Sequence, residues 1–575
     1  MRDRNENVSV GKELAVSDNE AALEQDVIEG DVADAQTLEE TSKFEKELNR
    51  ALKPRAYPLF VLEKAALLME EVFKGFSGEI DDSTLLSTGK KERLLVLGTG
   101  WGSAAFLKSI DTNKFDVTVV SPRNFFLFTP MLAGASVGTV EYRSITEPVR
   151  AINGKINYLE ATANEIDPVN KKVVCQNIVC EGTSCTIDDF EVEFDRLVVG
   201  VGAQTNTFGI PGVRENCCFL KQVDDARRIR NGIVNCFERA NIPTLTEEEK
   251  RSTLTFAVIG AGPTGVEFAS ELRDFIEQDG PKYYPNLLPY VSIKVIEASD
   301  TVLAPFDKSL QEEAIAQLLK PSKTLNDSRV ARYLNDDFKL TELLLESGVK
   351  EVSETKIYLN NGEEIPYGLS VWAAGNGPLP ITLQLVDALS DSEEQSDAQQ
   401  VARGRLAIDS WCRVLGTDGS IMSLGDCACN ILNQLPATAQ VASQQGEYLA
   451  RLLSKGDFQV KDKRSGKLKP VMRKKEESTL ADHISSFAML SDTIAAPFQF
   501  LNLGILAYTG SGTALSQIQV TPNNESGRIK GKGKVGYGLW RSVYLSKQVS
   551  MRNRSLVLTD WLKTQIFGRD ITRIN

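Results

Sequence analysis

A glycine-rich motif occurs twice in this chain, and each copy follows a short apolar run. The first copy is "LLVLGTGWGSAAFLKSI" at residues 94–110, and the second is "FAVIGAGPTGVEFASEL" at residues 256–272. A buried strand, a glycine turn and a helix in this order form a phosphate-binding βαβ start, in which the helix N-terminus faces a pyrophosphate. Two copies predict two dinucleotide-binding units, whereas a single copy could be any tight strand–helix turn.

In the first motif, Gly98 predicts the tight turn and Gly100 the close approach of the backbone to a pyrophosphate. Ser103 takes the third glycine position after an additional Gly102, and it is small enough for helix–strand packing. The next strand ends at Ser121 instead of the usual acid, so we expect Arg123 to help hold the adenosine end of the nucleotide. The candidate residues of this first cradle are Gly98, Thr99, Gly100, Trp101, Gly102, Ser103, Ser121 and Arg123.

The second motif has glycine at all three positions, and its cradle residues are Gly260, Gly262, Pro263, Thr264 and Gly265. The next predicted strand, "VSIKVIEA", ends with Glu297. This carboxylate is placed to accept both hydroxyls of an adenosine ribose and would repel a 2′-phosphate, which favours NADH over NADPH. Its distance from the motif exceeds the usual spacing of about 20 residues, and the inserted loop "DGPKYYPNLLPY" accounts for the difference.

Three further strand-end segments accompany the two motifs. "DRLVVGVGAQTN" at 195–206 contains Gly202 and Ala203, and "LSVWAAGN" at 369–376 contains Ala374 and Gly375. "SIMSLGDCA" at 420–428 places Asp426 where a carboxylate can bind the ribityl hydroxyls of a flavin, or cap the following helix. Together the five segments predict a flavoprotein that holds FAD in the first cradle and NADH in the second.

Between residue 92 and about residue 450, β-branched runs alternate with helical patterns, which predicts an α/β fold with parallel sheets. We expect an FAD-binding domain at 91–250 and 372–450, with an NADH-binding domain at 251–371 between its two parts. Residues 1–90 are expected to be an acidic, largely disordered extension with a short amphipathic helix over 59–76. Residues 451–575 form a separate C-terminal region, and the polar insertions 320–337 and 388–404 have no assigned role.

Composition excludes several classes of function. The net charge of −13 argues against nucleic acid as a partner. Nine cysteines without a Cys-x-x-Cys pair, and a single His483, predict no metal site and mostly reduced thiols. No apolar run is long enough to span a bilayer. The acidic residues 1–50 do not resemble a mitochondrial presequence or a secretory signal.

The C-terminal residues have a different character. Residues 537–575 contain seven Lys/Arg and two Asp, a net charge of +5. Leu558, Trp561, Leu562 and Ile566 recur at helical spacing, and Trp540, Val543 and Tyr544 begin a similar stripe. Basic residues beside an apolar, Trp-containing face predict a helix in the interface of an anionic membrane. The alternative is packing on the body of the protein or on a dimer partner.

From about residue 91 to the C-terminus the chain resembles the type II (alternative, non-proton-pumping) NADH:quinone oxidoreductases, in their eukaryotic mitochondrial form. The matching segments are "VLGTGWGSAAFLK", "SPRNFFLFTPML", "VIGAGPTGVEFA", "PYGLSVWAAGN", "LGDCA", "LPATAQVASQQGEYLA", "LGILAYTGSGTAL" and "LWRSVYLSKQVSMRNR". The resemblance implies two Rossmann-like domains of the glutathione-reductase type, non-covalent FAD, and a C-terminal membrane-anchoring region that also dimerises. It further implies a peripheral protein of the mitochondrial inner membrane.

The implied reaction is NADH + quinone + H⁺ → NAD⁺ + quinol, with ubiquinone or a related quinone as acceptor. The resemblance places Ala439 and Gln440 at the flavin, and Gln440 and Gln444 beside the quinone headgroup. Glu267, which we expect in the first turn of the second motif's helix, would hydrogen-bond near the nicotinamide and relay a proton toward the quinone. Otherwise it would only complement the helix dipole.

Three alternatives share parts of this pattern. A disulfide reductase needs a cysteine pair close after the first glycine motif, and Cys180 and Cys185 lie far downstream of it. A sulfide:quinone oxidoreductase needs reactive cysteines at the flavin, for which Cys427 and Cys429 are the nearest candidates. A flavin-containing scaffold or redox-sensing protein would bind FAD without sustained turnover.

Overall fold

The computed structural model describes residues 45–52, 62, 91–178, 188–322, 325, 334, 338–461, 468–473, 494–519 and 528–573. Residues 45–51 are helical. The rest of the predicted disordered extension, and all of the predicted helix over 59–76 except Leu62, lie outside the described residues.

The first sheet has the strand of the first glycine motif near its centre. Its seven strands are, in spatial order, Ile421–Ser423, Arg196–Val199, Glu92–Leu97, Phe115–Ser121, Asn157–Asp167, Lys172–Asn177 and Asp189–Glu193. The first five run parallel, and the last two add as antiparallel strands. Residues 94–97 are almost fully buried, as expected of a central parallel strand.

The second sheet is entirely parallel and centres on the strand of the second motif. Its spatial order is Cys218–Phe219, Leu369–Trp372, Thr255–Ile259, Ser292–Ile296 and Thr341–Leu344. The two sheets confirm the predicted α/β fold with two Rossmann-like units. The second sheet also takes in residues 218–219, which lie before the predicted range 251–371, and its strand at 369–372 crosses the predicted boundary. The domain limits therefore stay a prediction.

Helices and short strands complete the structure. The helices are Trp101–Ser109, Leu132–Ser136, Val149–Ile152, Val213–Asn216, Val223–Ala240, Glu247–Thr253, Pro263–Gln278, Gly280–Tyr283, Lys308–Leu318, Pro380–Ala388, Glu393–Ala402, Ala439–Lys455, Gly533–Ser546 and Met551–Phe567, with 3₁₀ turns at Thr129–Met131, Tyr142–Ser144, Leu288–Tyr290 and Gly425–Cys427. The small sheets comprise Phe125–Leu127 with Thr146–Pro148, Gln204–Thr205 with Asn376–Gly377, Val349–Val352 with Lys356–Leu359 and Glu364–Pro366, Leu406–Ile408 with Ala428–Asn430, Gly456–Asp457 with Met472–Arg473, and Ile505–Gly510 with Thr513–Gln519 and Arg528–Gly531.

Two helices cross closely beneath the first cradle. We call Trp101–Ser109 the first cradle helix and Ala439–Lys455 the amide helix. A Cβ on Gly446 would lie 2.1 Å from the carbonyl oxygen of Gly102, and a Cβ on Gly102 would lie 2.2 Å from Leu424 Cδ1. Two glycines therefore allow backbone-to-backbone contact, which fixes the start of the amide helix against the first glycine motif.

The C-terminal region packs on the helix of the second motif, Pro263–Gln278, which we call the second cradle helix. From here on, the C-terminal region means the described residues of 501–573, which include the strand Ile505–Gly510, the penultimate helix Gly533–Ser546 and the terminal helix Met551–Phe567. Tyr508 contacts the second cradle helix, and Trp540 and Trp561 are buried with their ring centroids 6.3 Å apart. Within the described residues, no helix has both the length and the apolar character needed to cross a bilayer.

The glycine crossing leads to a stability prediction. In Gly446→Ala, the added methyl group meets backbone that cannot rotate away, so we expect a loss of about 1–3 kcal/mol. Gly538→Ala is the matched control, because Gly538 is also helical and its Cβ would have no neighbour within 4 Å. That change should stabilise by roughly 0.5–1 kcal/mol. Thermal unfolding of both variants measures the difference, and equal Tm values would contradict the tight crossing.

Candidate active site

The first cradle has the backbone that a phosphate site needs. Gly98 has φ +94°, and a Cβ there would lie 2.6 Å from the carbonyl oxygen of Gly200, so only glycine fits this turn. Gly100 caps the first cradle helix, and its Cβ position has no neighbour within 4 Å. Open space above a helix N-terminus fits a pyrophosphate.

The side chains around this cradle bond mainly to each other. Thr99 Oγ1 lies 3.1 Å from Ser121 Oγ and also donates toward the carbonyl of Phe125. Ser121 Oγ in turn accepts the backbone N–H of Arg123 at 3.2 Å. The Arg123 guanidinium donates to the Gln222 side chain, and burial lowers the pKa of Arg123. The structure thus groups Thr99, Ser121 and Arg123 at the end of the second strand, where the sequence predicts the adenosine.

The remaining residues of the first motif have packing roles. The Trp101 indole N–H donates to Thr129 Oγ1 at 3.0 Å, and its ring packs against Phe126 and Phe128. Ser103 is buried, with its hydroxyl 3.5 Å from the carbonyl oxygen of Gly200. Gly102 serves the helix crossing described above.

The second cradle repeats the geometry of the first. Gly260 has φ +101°, and a Cβ on Gly265 would lie 1.8 Å from the Gly260 carbonyl oxygen. Gly262 caps the second cradle helix, with no neighbour within 4 Å of its Cβ position. Pro263 occupies the first helical position, where a missing N–H costs nothing, and Thr264 is exposed.

Glu297 directly follows the strand Ser292–Ile296 of the second sheet, as predicted, and it also hydrogen-bonds to the glycine loop. Its Oε2 accepts the backbone N–H of Ala261 at 2.6 Å, and its Oε1 accepts the N–H of Ser299 at 2.9 Å. The carboxylate is therefore fixed beside the second cradle with its oxygens already hydrogen-bonded.

The two strand-end turns pair with each other. Gly202 and Gly375 both have positive φ, +75° and +72°. The chain just after them forms a two-stranded bridge, Gln204–Thr205 with Asn376–Gly377, and the Trp372 indole N–H donates to the Ala374 carbonyl oxygen at 2.8 Å. This bridge brings the carboxyl ends of the two sheets together.

Asp426 lies in the 3₁₀ turn Gly425–Cys427 and does not cap the following helix. Thr438 caps the amide helix instead, because its hydroxyl accepts the N–H of Val441. Burial raises the pKa of Asp426, while Lys221 and Arg405 lower it. Lys221 was absent from the sequence prediction because it belongs to no glycine motif. Its Nζ donates to Asn376 Oδ1 at 2.7 Å, which places a cation at the bridge between the sheets.

Gln440 and Gln444 lie on one face of the amide helix, as predicted, and both hold the start of the C-terminal region. The Gln440 amide donates to the Gly504 carbonyl oxygen at 2.8 Å. The Gln444 amide donates to the Leu501 carbonyl oxygen and accepts the Leu501 N–H, both at 2.9 Å. Ala439 begins the helix.

Glu267 does not lie in the first turn of its helix, so it does not complement the helix dipole there. It lies in the second turn, buried beneath the C-terminal region. Its Oε1 accepts the N–H of Tyr508 at 3.2 Å and lies 3.5 Å from the Tyr544 hydroxyl. No basic side chain of the described residues pairs with it, and burial raises the pKa of Glu267 to about 8.

Glu267 lines a pocket between the second cradle helix and the C-terminal helices, which we call the inner pocket. Its walls are Pro130, Met131, Ala133, Gly134, Thr139, Val140, Glu267, Glu271, Tyr508, Trp540 and Trp561. Sequence reasoning missed Glu271 and Asp274, both buried on the same helix. The signal was present, because acids at positions 267, 271 and 274 share one helical face.

The cysteines of the described residues do not support disulfide or sulfide chemistry. All seven are unpaired and buried. Burial raises the pKa of the Cys427 thiol, whereas a nucleophilic cysteine needs a lowered pKa. Cys180 and Cys185 lie outside the described residues.

The predicted C-terminal stripe is divided between two faces. Trp540 and Trp561 are buried, so the expectation of a Trp-containing outer face is wrong for both. Leu558, Leu562 and Ile566 remain exposed together with Met551 and Phe567, which we call the outer stripe. Trp561 turns inward because it packs against the penultimate helix, where the Arg541 guanidinium covers its ring.

Comparisons with known proteins agree with this geometry. Residues 92–446 match the family described as pyridine nucleotide-disulphide oxidoreductase, and residues 502–570 match the NDH2 C-terminal domain. The external NADH-ubiquinone oxidoreductase 2 of Saccharomyces cerevisiae, a mitochondrial protein, is 36% identical over 92% of this chain and 91% of its own. The chain belongs to the type II NADH:quinone oxidoreductase family.

Further relatives of this family match over most of their length. The external alternative NADH-ubiquinone oxidoreductase of Yarrowia lipolytica, also mitochondrial, is 38% identical over 84% of this chain and 81% of its own. The structure of NDH2 from Plasmodium falciparum in complex with NADH has a TM-score of 0.66 at 23% identity. The match covers 84% of this chain and 100% of the Plasmodium chain, and it shows that the two proteins share a fold.

The buried Glu267 leads to a prediction of pH-dependent stability. Its folded pKa of about 8 lies above its ordinary value of 4.5. The folded state therefore keeps a proton that the unfolded chain releases, and stability falls as pH rises from about 4.5 to about 8. Glu267→Gln removes this loss. The free energy of unfolding of the variant, relative to that of the wild type, should therefore increase by roughly a few kcal/mol between about pH 4.5 and about pH 8. Denaturant unfolding at pH 5 and pH 8 measures it, and parallel pH profiles would contradict an elevated pKa.

Proposed function

We propose that this chain oxidises NADH and reduces a membrane quinone by two electrons, with FAD between them and without pumping protons. The observation that carries the proposal is the pairing of the two strand-end turns, which joins the carboxyl ends of two sheets that each bear an open glycine cradle. Ligands of parallel α/β sheets bind at such edges. The names of the matched relatives, NADH-ubiquinone oxidoreductases, support the substrates.

The first cradle fits FAD. Gly98 and Gly100 would admit the pyrophosphate, and Arg123 would hold the adenosine end. Asp426, Gly202 and Ala203 would face the ribityl chain and the ring, with Ala439 and Gln440 at the start of the amide helix beside the pyrimidine. FAD, when bound, accepts hydride from a nicotinamide and passes both electrons to a quinone.

The second cradle would hold NADH. Gly260, Gly262 and Gly265 admit the pyrophosphate, and Ala374 and Gly375 border the nicotinamide. Glu297 is fixed by two backbone N–H groups, so it cannot turn away from a 2′-phosphate without giving up these hydrogen bonds. A fixed carboxylate at this position supports NADH over NADPH.

The quinone headgroup would bind beside the amide helix, and the inner pocket, with a volume of about 10 Å³, would hold water next to Glu267. Gln440 and Gln444 hold residues 501–504 in place, which positions the C-terminal region over Glu267. The buried Glu267 would supply a proton to the reduced quinone, because an acid with a raised pKa keeps its proton near neutral pH.

We further propose that the protein is bound peripherally to the mitochondrial inner membrane, in agreement with the mitochondrial names of its relatives. The outer stripe supplies the apolar face, and Arg552 and Lys563 on the same helix are exposed. Apolar residues with flanking cations suit an anionic bilayer surface. A homodimer formed through this region remains a prediction.

Identical changes in the two cradles test the function. Neither Gly100 nor Gly262 has a neighbour within 4 Å of its Cβ position, so the branch point of a valine side chain meets no protein atom there. Gly100→Val should lose flavin, because the side chain fills the pyrophosphate space. Gly262→Val should keep flavin, and its apparent KM for NADH should rise about tenfold or more. Flavin spectra and NADH-driven bleaching measure both effects, with NADPH in parallel.

In the wild type, a short-chain quinone should restore the bleached flavin spectrum, and NADPH should bleach it more slowly than NADH. A colourless protein that does not retain added FAD would remove the proposed function. Bleaching without recovery would leave a flavin-containing NADH-binding protein without quinone activity.

A second prediction concerns the outer stripe. Leu562→Gln with Ile566→Gln removes two half-exposed apolar side chains, worth about 2 kcal/mol together, so binding to anionic phospholipid vesicles should weaken ~30-fold. Val169→Gln is the control, since Val169 is an exposed apolar residue in the turn between the strands Asn157–Asp167 and Lys172–Asn177, away from the terminal helix. Vesicle co-sedimentation at high salt measures binding. Unchanged vesicle binding with loss of a dimer would instead assign the stripe to a subunit contact.

A further inference from the structure

The second cradle helix carries a polar stripe where a packed helix normally has an apolar one. Glu267, Ser270, Glu271 and Asp274 follow one another at i, i+3, i+4 and i+7, and each is more than nine-tenths buried. Such spacing places all four on the face covered by the C-terminal region. Burying three carboxyl groups is costly unless they are hydrogen-bonded or protonated, so this face requires a physical explanation.

Glu271 lies at the centre of the stripe and is bonded to a hydroxyl from another element. Thr139 Oγ1 donates to Glu271 Oε2 at 2.6 Å, and Arg569 Nε donates to Thr139 Oγ1 at 3.0 Å. The Arg569 guanidinium also lies 3.8 Å from Glu271 Oε2. Burial raises the pKa of Glu271 to about 7, with Arg569 lowering it. The other charged or titratable groups around it are Glu267, Asp274, Tyr508 and Arg541.

Thr139 stands between two pockets. It lines the inner pocket with Glu267 and Glu271. With Val140 it also lines a second cavity, which we call the outer pocket, whose remaining walls are Gly138, Glu141, Asp560, Lys563, Thr564, Gly568 and Asp570. Lys563 and Asp570 are exposed, so the outer pocket reaches solvent beside the terminal helix. Thr139 thus borders a solvent-facing cavity, and its hydroxyl is hydrogen-bonded to a buried carboxyl group.

One polar group of the stripe has no partner. The Ser270 hydroxyl is buried and makes no hydrogen bond to any described residue, whereas the Trp540 indole N–H lies beside Glu267 and Tyr544. Trp540 also lines the inner pocket. Buried donors in native proteins are almost always satisfied, by water where not by protein. The inner pocket has Glu267, Glu271 and Trp540 in its walls and a volume of about 10 Å³, so it is suited to a water molecule.

We infer that Thr139 and Glu271 form a proton inlet, which carries protons from the outer pocket to Glu267 while quinone is reduced. The inference rests on the proposed function, whose reaction consumes one solvent proton for each NADH. Glu267 gives that proton to a quinol oxygen, Glu271 replaces it, and the Thr139 hydroxyl passes the next proton inward. Each group ends the cycle in its starting state, and none is oxidised or reduced.

The inlet assigns a role to Arg569 as a positioning residue. Its side chain is buried and bonded to Asp279 at 3.0 Å and to Gln278 Oε1 at 3.0 Å, as well as to Thr139. These contacts fix the hydroxyl relative to the carboxyl group. A purely structural role of the network, tying the end of the chain to the second cradle helix, would predict a loss of stability and no change in proton transfer.

Four variants distinguish the two roles. Thr139→Val keeps the shape of the side chain and removes the hydroxyl, and Thr139→Ser restores it. Glu271→Gln removes the acid. Glu277→Gln is the matched control, since Glu277 is buried on the same helix and pairs with Arg273 instead of the inlet. The flavin-loaded protein is first bleached with NADH, and recovery with a short-chain quinone is then timed from pH 6 to pH 9.

NADH bleaching should be unchanged in all four variants. Quinone-driven recovery should slow roughly tenfold or more in Thr139→Val and Glu271→Gln, but not in Thr139→Ser or Glu277→Gln. In the wild type, recovery should slow as pH rises through about 7, because Glu271 loses its proton, and this inflection should vanish in Glu271→Gln. If Thr139→Val does not retain flavin, the pH dependence of quinone-driven recovery in Glu271→Gln distinguishes the proton inlet from a purely structural role.

Wild-type recovery rates and pH profiles in both Thr139→Val and Glu271→Gln would overturn the inlet alone. An equal loss in Thr139→Ser and Thr139→Val would also overturn it, because packing would then be the cause. A wild-type protein that quinone does not reoxidise would instead remove the proposed function.

Discussion

The left-handed backbone at Gly98 and Gly260 is the constraint on which both binding units depend. At each position the strand must turn at once into a helix, and the space where a Cβ would lie is filled by backbone or by the alanine side chain of a neighbouring strand end. Glycine alone satisfies both conditions. Because the turn is so short, the helix N-terminus stays at the carboxyl edge of its sheet, where its N–H groups can face a phosphate.

The meeting of the two edges depends on residues outside the glycine motifs. The bridge between residues 204–205 and 376–377 joins the sheets, and Lys221 bonds across it to Asn376. Its position also gives Asp426 a nearby cation, which offsets part of the cost of burying that carboxyl group. Lys221 is not recognisable from spacing, since it acts through contacts between distant segments.

The C-terminal region changes the chemistry of the second cradle helix by removing water from it. Glu267, Glu271 and Asp274 would be ordinary surface acids if this helix were exposed. Covered by Tyr508, Trp540 and Tyr544, they become groups whose raised pKa values lie nearer to neutral pH. Gln440 and Gln444 on the amide helix hydrogen-bond to residues 501–504, where the C-terminal region begins. The amide helix therefore helps to position the residues that cover the three acids.

By itself, the sequence determined the two Rossmann-like units, the cradle glycines and the acid at the end of the second strand, because these are local patterns with one steric solution each. It also determined that the amides at 440 and 444 share a helix face. Only the tertiary structure decided that Glu267 lies in a second turn under a buried cover, that Thr438 and not Asp426 caps the amide helix, and that Trp540 and Trp561 turn inward. The reason is physical: helical spacing defines which residues share a face, but desolvation and hydrogen-bond partners depend on what packs against that face.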